Sequence, residues 1–330
     1  RCRAPDANRR GAAHRGVDAM KTRADAVREA VELAALADWD PSARRRAFLS
    51  LCIAPTLVFL VLVLIYPLFY NVIVSLSDAS IYNIRDWRIT GPRQYLLVFS
   101  DPGFWTTFSR TVLWTIACTA LQVALGVALA ALLHQDFIRG RTAWRIALLL
   151  PWAMPQYIMA LTWRGMFAGE SGAVNTLLAG IGLPAVDWLN SPVAAFCAMV
   201  LVSVWMGFPF MMVVALTGMR AIPDSVYEAA RLEGAGWWQQ FTRLTAPLLR
   251  PVMLPATTLG IIWNFNSLNL VWLFTAGGEP SGSTHILSSY VYKTAFTYYR
   301  FGWSAALSVV IFIMLFIAVQ GFLAVGRLRR

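Results

Sequence analysis

Residues 227–251 read YEAARLEGAGWWQQFTRLTAPLLRP, a polar, arginine-bearing segment between two apolar runs. The chain around it has 330 residues, 58% hydrophobic and 14% charged. Soluble domains carry about 25% charged residues, so the deficit points to a lipid-embedded protein. Six runs are long enough to span a bilayer, at about 48–74, 107–133, 144–167, 192–216, 248–274 and 305–325. The expected fold class is all-α integral membrane, with residues 44–330 as the membrane domain. Residues 1–43 form an N-terminal segment, partly disordered, with a modest helix possible within 22–40.

Orientation follows from the arginines, since the only lysines are Lys21 and Lys293. Basic residues are retained on the cytoplasmic side of spanning segments. Arg44 to Arg46, the loop with Arg139 and Arg141, the loop with Arg220, Arg231 and Arg243, and the tail Arg327, Arg329 and Arg330 all fall on one side. The opposite loop Ala168–Ser191 has no basic residue, although Arg85, Arg88 and Arg93 run against the trend. Both termini and the 227–251 segment are therefore expected in the cytoplasm. The net charge of +11 sits in short loops rather than a soluble basic domain, so no nucleic-acid partner is expected. Cys2, Cys52, Cys118 and Cys197 form no CxxC pair, and neither a disulfide nor a metal site is expected.

Local rules shape the opening segment. Ser225 followed by Glu228 fits a capping box, which predicts a helix over about 226–233. Gly234 supplies a C-terminal cap or bend. A second short helix, about 237–245, should be stopped by Pro247. Ala229 and Ala230 give the first helix a small surface that another groove could approach, with Glu228 and Arg231 beside it for polar contacts. Tyr227, Leu232, Trp237, Trp238 and Phe241 are candidate anchors to the bundle or a partner. A solvated amphipathic loop at the membrane surface is the alternative. Prolines 55, 67, 151, 155, 209, 251 and 255 are expected to kink their spans.

Glu228-Ala229-Ala230, three residues, Gly234, nine residues, Leu244, one residue, then Ala246-Pro247 resembles the EAA loop of binding-protein-dependent ABC importer permeases. Leu244 and Ala246 stand for that motif's isoleucine and leucine. CIAPTLVFLVLVLIYPLFYNVIVSL, LVWLFTAGGEP and YVYKTAFTYYRFGWSAALSVV are similar to the family's sugar-permease branch, and the likeness runs from about Leu49 to the C-terminus. The resemblance implies a coupling helix seated on an ATPase subunit, with Glu228, Ala229, Ala230, Gly234, Leu244 and Pro247 carrying the coupling. It implies a second permease subunit, two ATP-binding subunits, an extracytoplasmic solute-binding protein and residence in a bacterial inner membrane. The loops Ala168–Ser191 and Gly277–Thr284 are candidate docking sites for the binding protein.

The chain does not carry the P-loop pattern GxxxxGK[ST]; Lys21-Thr22 and Lys293-Thr294 follow Met20 and Tyr292 rather than glycine. ATP and magnesium are thus expected in a partner, with no cofactor and no catalytic residue here. His14, His134 and His285 are scattered.

Polar groups inside spans mark pathways or inter-helix bonds. The densest set is Asn264, Asn266, Ser267 and Asn269. On a continuous helix Asn266 and Asn269 share one face and Asn264 and Ser267 a nearly opposite one. Asn266 and Asn269 are the expected pathway pair; Gln156, Trp152, Trp205 and Phe208 are weaker candidates. Amides and rings without intramembrane carboxylates suit a carbohydrate, a disaccharide or longer. A non-sugar solute such as glycerol phosphate, or an ATP-independent carrier, are the alternatives; ion-coupled carriers tend to need buried acids.

Overall fold

The computed structural model describes residues 27–28, 41–135, 137–169 and 171–328. The expected helix within 22–40, apart from residues 27 and 28, and the final arginines 329 and 330 lie outside them. The described chain is helical, with one isolated antiparallel bridge, Ser77 with Ile89. Five helical stretches are long and apolar enough to cross a membrane, or six if one bent pair counts as a span.

The chain divides into two compact units, residues 1–69 and 70–330. The first holds helix α1 (Pro41–Leu60), a π turn, Val61–Ile65, and Tyr66 to Phe69 of the resumed helix α2 (Tyr66–Ser75). Its described side chains from Phe48 to Phe69 are all exposed and nearly all apolar, a surface suited to lipid.

The second unit holds the bundle. After α3 (Arg93–Ser100), the long helix α4 (Pro102–His134) starts at Asp101, whose carboxylate accepts from the Gly103 N–H at 2.9 Å. Asp101 also accepts from the Tyr290 hydroxyl at 2.8 Å, tying the start of α4 to helix α13 (Leu287–Phe296). Helix α8 (Pro192–Arg220) crosses α4 closely: a Cβ on Gly126 of α4 would overlap the Met211 and Met212 backbone, so only glycine fits. Met211, Met212, Ala215 and Met219 of α8 pack with Ala130 and Ala131 of α4 in one core cluster. Helix α14 (Phe301–Leu328) closes the unit, burying Trp303, Ala306 and Leu307 with Phe104 and Phe265.

The third apolar run departs from expectation. It is not one continuous kinked helix but two helices, α5 (Arg141–Ala153) and α6 (Gln156–Met166), bent by 93°. Met154, which precedes Pro155, is extended at φ −85° and ψ 141°. Proline disfavours helical geometry in the residue before it, so the chain turns there. Helix α7 (Ala173–Gly180) follows in the next loop, held by Asn175. The Asn175 amide donates to the Gly169 and Val186 carbonyls and accepts from the Val186 N–H and the Trp188 indole.

The fifth run departs too. Helix α9 (Asp224–Leu232) is followed by α10 (Trp237–Gln240), a π turn (Phe241–Thr245) and α11 (Ala246–Phe265) as one continuous helical stretch. The expected stop at Pro247 does not occur. Each π turn ends two residues before a proline, Ile65 before Pro67 and Thr245 before Pro247. Proline lacks an N–H and crowds the carbonyl four residues back. A wider turn just upstream opens the ladder where that bond is missing, so the helix continues. At its far end α11 stops at Phe265, and a separate helix, α12 (Leu268–Phe274), begins after Asn266 and Ser267. The single continuous helix assumed for residues 248–274 is therefore corrected.

Candidate functional site

Two places collect the residues singled out by sequence. The first is α9 and the bend after it. The capping box is not made: α9 begins at Asp224, after Pro223, with no side-chain cap, which leaves Ser225 inside the first turn. The C-terminal end is built on Gly234, with φ +80° and open space around a would-be Cβ. The Gly234 N–H donates to the Arg231 carbonyl at 3.0 Å and the Ala235 N–H to the Ala230 carbonyl at 2.9 Å. These are the two bonds of a Schellman cap, which needs a left-handed residue at the position Gly234 holds.

The helix has an inside and an outside. Ser225, Glu228, Ala229 and Leu232 recur at helical spacing and are exposed, Leu232 at 91%. Ala230, 9% exposed, faces the chain's own bundle with Val226 and Tyr227. The two alanines thus do not form one surface: Ala229 is available to a partner and Ala230 is not. Beneath α9 lies a polar cavity of roughly 750 Å³, whose lining includes His134, Arg141, Arg220, Asp224, Tyr227, Glu228 and Arg231. Trp237, Trp238 and Phe241 stack on one another, with centroids 5.8 to 6.1 Å apart, and the two tryptophans are exposed. Leu244 is half-buried in the π turn and Pro247 is exposed at the start of α11.

The second place is a cavity of roughly 430 Å³ at the break between α11 and α12. Gln156, Asn264, Asn266 and Ser267 line it; Asn269 and Trp205 do not. Trp205 stands edge-on to Trp163 and Phe208, with centroids 6.1 and 6.0 Å away. The helix break sets the roles of the asparagines. Asn264 is buried, donating to Thr119 Oγ1 at 3.0 Å and Gln122 Oε1 at 2.9 Å, and accepting from Gln122 Nε2 and Ser203 Oγ, both at 3.2 Å. Its backbone carbonyl accepts from the Trp114 indole at 2.9 Å. Asn264 is therefore an inter-helix knot joining α4, α8 and α11. Asn266 is exposed at the break and lines the cavity, its amide donating to the Ile262 carbonyl at 3.0 Å. Asn269, exposed on α12, no longer shares a helix with Asn266, so their expected common face is corrected.

Sequence reasoning missed Gln122, Ser203, Phe210 and Trp263, which also line the cavity. Gln122 had a signal, as the one amide inside an otherwise apolar stretch of α4. Trp152, Phe210 and Trp263 form an aromatic run, with centroids 6.3 and 5.0 Å apart. No lining residue carries a charge.

Outside the spans, the loop between α12 and α13 is pinned to α4. Arg110 donates to the Gly282 carbonyl at 2.9 Å, and the Leu287 N–H donates to Thr111 Oγ1 at 2.9 Å. His285 is buried there, with Ser289 Oγ 3.0 Å from Nδ1 and Lys293 Nζ 3.4 Å from Nε2. Burial, then the charges of Lys293 and Arg110, push its pKa down to about 4, against a smaller upward pull from Glu279.

Apolar spanning helices, a polar helix-and-bend element between two of them and a cavity at a helix break define a membrane transport permease. The chain belongs to the binding-protein-dependent transport system inner membrane component family, whose profile matches residues 122–328. It is 34% identical over 268 residues to a probable ABC transporter permease protein of Brucella suis, covering 80% of this chain and 91% of that one. It is 34% identical over 283 residues to the trehalose/maltose transport system permease protein MalF of Thermococcus litoralis, covering 85% and 94%. With the maltodextrin transport system permease protein MdxF of Bacillus subtilis it shares 33% over 298 residues, covering 84% and 68%. In fold it is similar to a chain of a bacterial ABC transporter involved in import of the acidic polysaccharide alginate, with TM-score 0.70 and 19% identity over 87% of this chain and 97% of that one.

Proposed function

We propose that this chain is the transmembrane permease subunit of an ATP-driven importer for a neutral carbohydrate, a disaccharide or longer. The observation that carries the substrate class is the cavity at the α11–α12 break. Its amides can exchange hydrogen bonds with hydroxyl groups, its indole and phenyl rings can stack on sugar C–H faces, and no charged group lines it. A glycerol phosphate would bring its negative charge into a cavity with no Arg, Lys or His to meet it. Relatives named for maltose, trehalose and maltodextrin transport support the same class.

On this reading the bent pair α5–α6 counts as the third of six spans, and both termini and α9 face the cytoplasm. Asn266, Gln156 and Ser267 meet the solute, Asn264 holds the cavity's shape, and Asn269 and Trp205 lie off the pathway. The exposed face of α9, Ser225, Glu228, Ala229 and Leu232, seats on an ATPase subunit that binds ATP and magnesium. Gly234 shapes the turn behind it, and Leu244 and Pro247 start the span it moves. A second permease completes the pathway, two ATPase subunits drive it, and a solute-binding protein docks outside. One of the solved complexes similar in fold is described with an alginate pentasaccharide-bound periplasmic protein. Reconstituted with these partners, the chain should support uptake of a neutral oligosaccharide only with ATP. Uptake that persists when ATP is withheld would point to a secondary carrier instead.

A further inference from the structure

On the coupling reading above, we propose that Tyr227 is the positioning residue that passes movement of α9 to the foot of the fifth span, through Thr245. Helix α9 does not lie flush on a packed core; the cavity of roughly 750 Å³ separates much of it from the inner ends of α4 and α8. A push on α9 must therefore cross at a few points. Ala230 offers only a methyl group. Tyr227 offers more: its hydroxyl is 3.1 Å from Thr245 Oγ1, and its ring centroid is 6.1 Å from that of His134, in the last turn of α4. This side-chain hydrogen bond joins α9 directly to the π turn below the fifth span.

The receiving end is suited to the task. Thr245, 6% exposed, is the last residue of the π turn, and its hydroxyl donates to the Gln240 carbonyl at 3.4 Å, leaving a lone pair for the Tyr227 proton. Two residues on, Pro247 has no N–H to give the ladder. The helix ladder thus lacks a bond close to where Tyr227 takes hold. Beyond that point α11 stays one continuous helix, through Pro251 and Pro255, to Asn264 at the cavity of roughly 430 Å³, about 30 Å away at 1.5 Å per residue. A continuous helix held at its foot can carry a displacement along its length.

The test uses the full transporter, with its ATPase subunits, and reads amide hydrogen exchange with and without ATP plus vanadate. In the parent, trapping should change exchange in α9 (224–234), in the π turn (241–247) and near the cavity (262–268). In Tyr227→Phe and in Thr245→Val, the response at 224–234 should remain and that at 241–247 and 262–268 should shrink about fivefold, the size of one net hydrogen bond. The double variant should be no worse than either single, and Thr245→Ser should restore the response. An undiminished response in the span, or loss of the α9 response along with it, overturns the proposal, the latter by making Tyr227 a plain anchor. A parent chain that fails to retain an ATPase subunit would instead sink the coupling reading and this inference with it.

Discussion

Gln122 and Asn264 exchange a reciprocal pair of amide hydrogen bonds, Gln122 Nε2 to Asn264 Oδ1 at 3.2 Å and Asn264 Nδ2 to Gln122 Oε1 at 2.9 Å. The pair ties α4 to α11 at the wall of the cavity, with Ser203 of α8 and Thr119 completing the set. Loss of Asn264 takes from the buried Gln122 Oε1 the donor it has on α11. Asn264→Ala should lower stability in detergent by about 1–3 kcal/mol, the cost of a buried polar group left unpaired. Thermal unfolding of the purified variant reads it, and an unchanged midpoint would show the knot to be dispensable.

Asn266 lies at the same break yet has no partner on another helix among the described residues. Asn266→Ala should leave the unfolding midpoint within about 0.5 kcal/mol of the parent, as exposed substitutions do. Solute uptake should fall by about tenfold, since a hydrogen-bonding group leaves the pathway while the cavity keeps its shape. Equal loss of stability in the two asparagine variants would contradict this division of roles.

The two alanines of α9 should separate in the same way. Ala229→Trp should abolish retention of the ATPase subunit without lowering the unfolding midpoint. Ala230→Trp forces a large ring into a buried site and should destabilise by about 1–3 kcal/mol. At the bend, Gly234→Asn should be tolerated better than Gly234→Val, because φ +80° costs a β-branched side chain most, although the site has room for a Cβ. ATPase retention across the four variants decides both points.

His285 gives the loop between α12 and α13 a pH dependence. In the unfolded chain its imidazole takes up a proton near pH 6.5, and in the fold only near about 4. Between those values the unfolded state binds a proton that the folded state refuses, so stability falls as pH drops through that window and levels off below it. The groups facing the ring are Lys293, Arg110, Glu279 and Ser289. Amide exchange of residues 275–290 should speed up as pH is lowered across this window, beyond the intrinsic pH effect on exchange. His285→Gln should remove the excess. An equal pH response in the variant would assign it elsewhere.

Much of this was legible in the sequence where physics acts over one turn or one run. Apolar length located five spanning helices, with the first run ending within one residue of its expected bound. The spacing from Glu228 to Pro247 located the polar element. What was not legible depended on choices that one residue type leaves open. Pro155 breaks a run by 93°, whereas Pro209, Pro251 and Pro255 sit inside continuous helices. The difference lies in the residue before the proline: Met154 is extended, whereas the residues before the other three stay helical. The break at Asn266 and Ser267 carries no glycine or proline to mark it, so a helical wheel drawn through it misassigned the faces of four polar residues. Ala229 and Ala230 are identical side by side, and only the packing of α9 tells the outer from the inner.

The most direct measurement is purification of the chain in detergent from its native host, with mass analysis of the proteins and solute it retains. The account predicts an ATPase subunit, a second permease and a neutral oligosaccharide released on denaturation. A chain that comes away without an ATPase, and whose proteoliposomes take up solute when ATP is withheld, would contradict it.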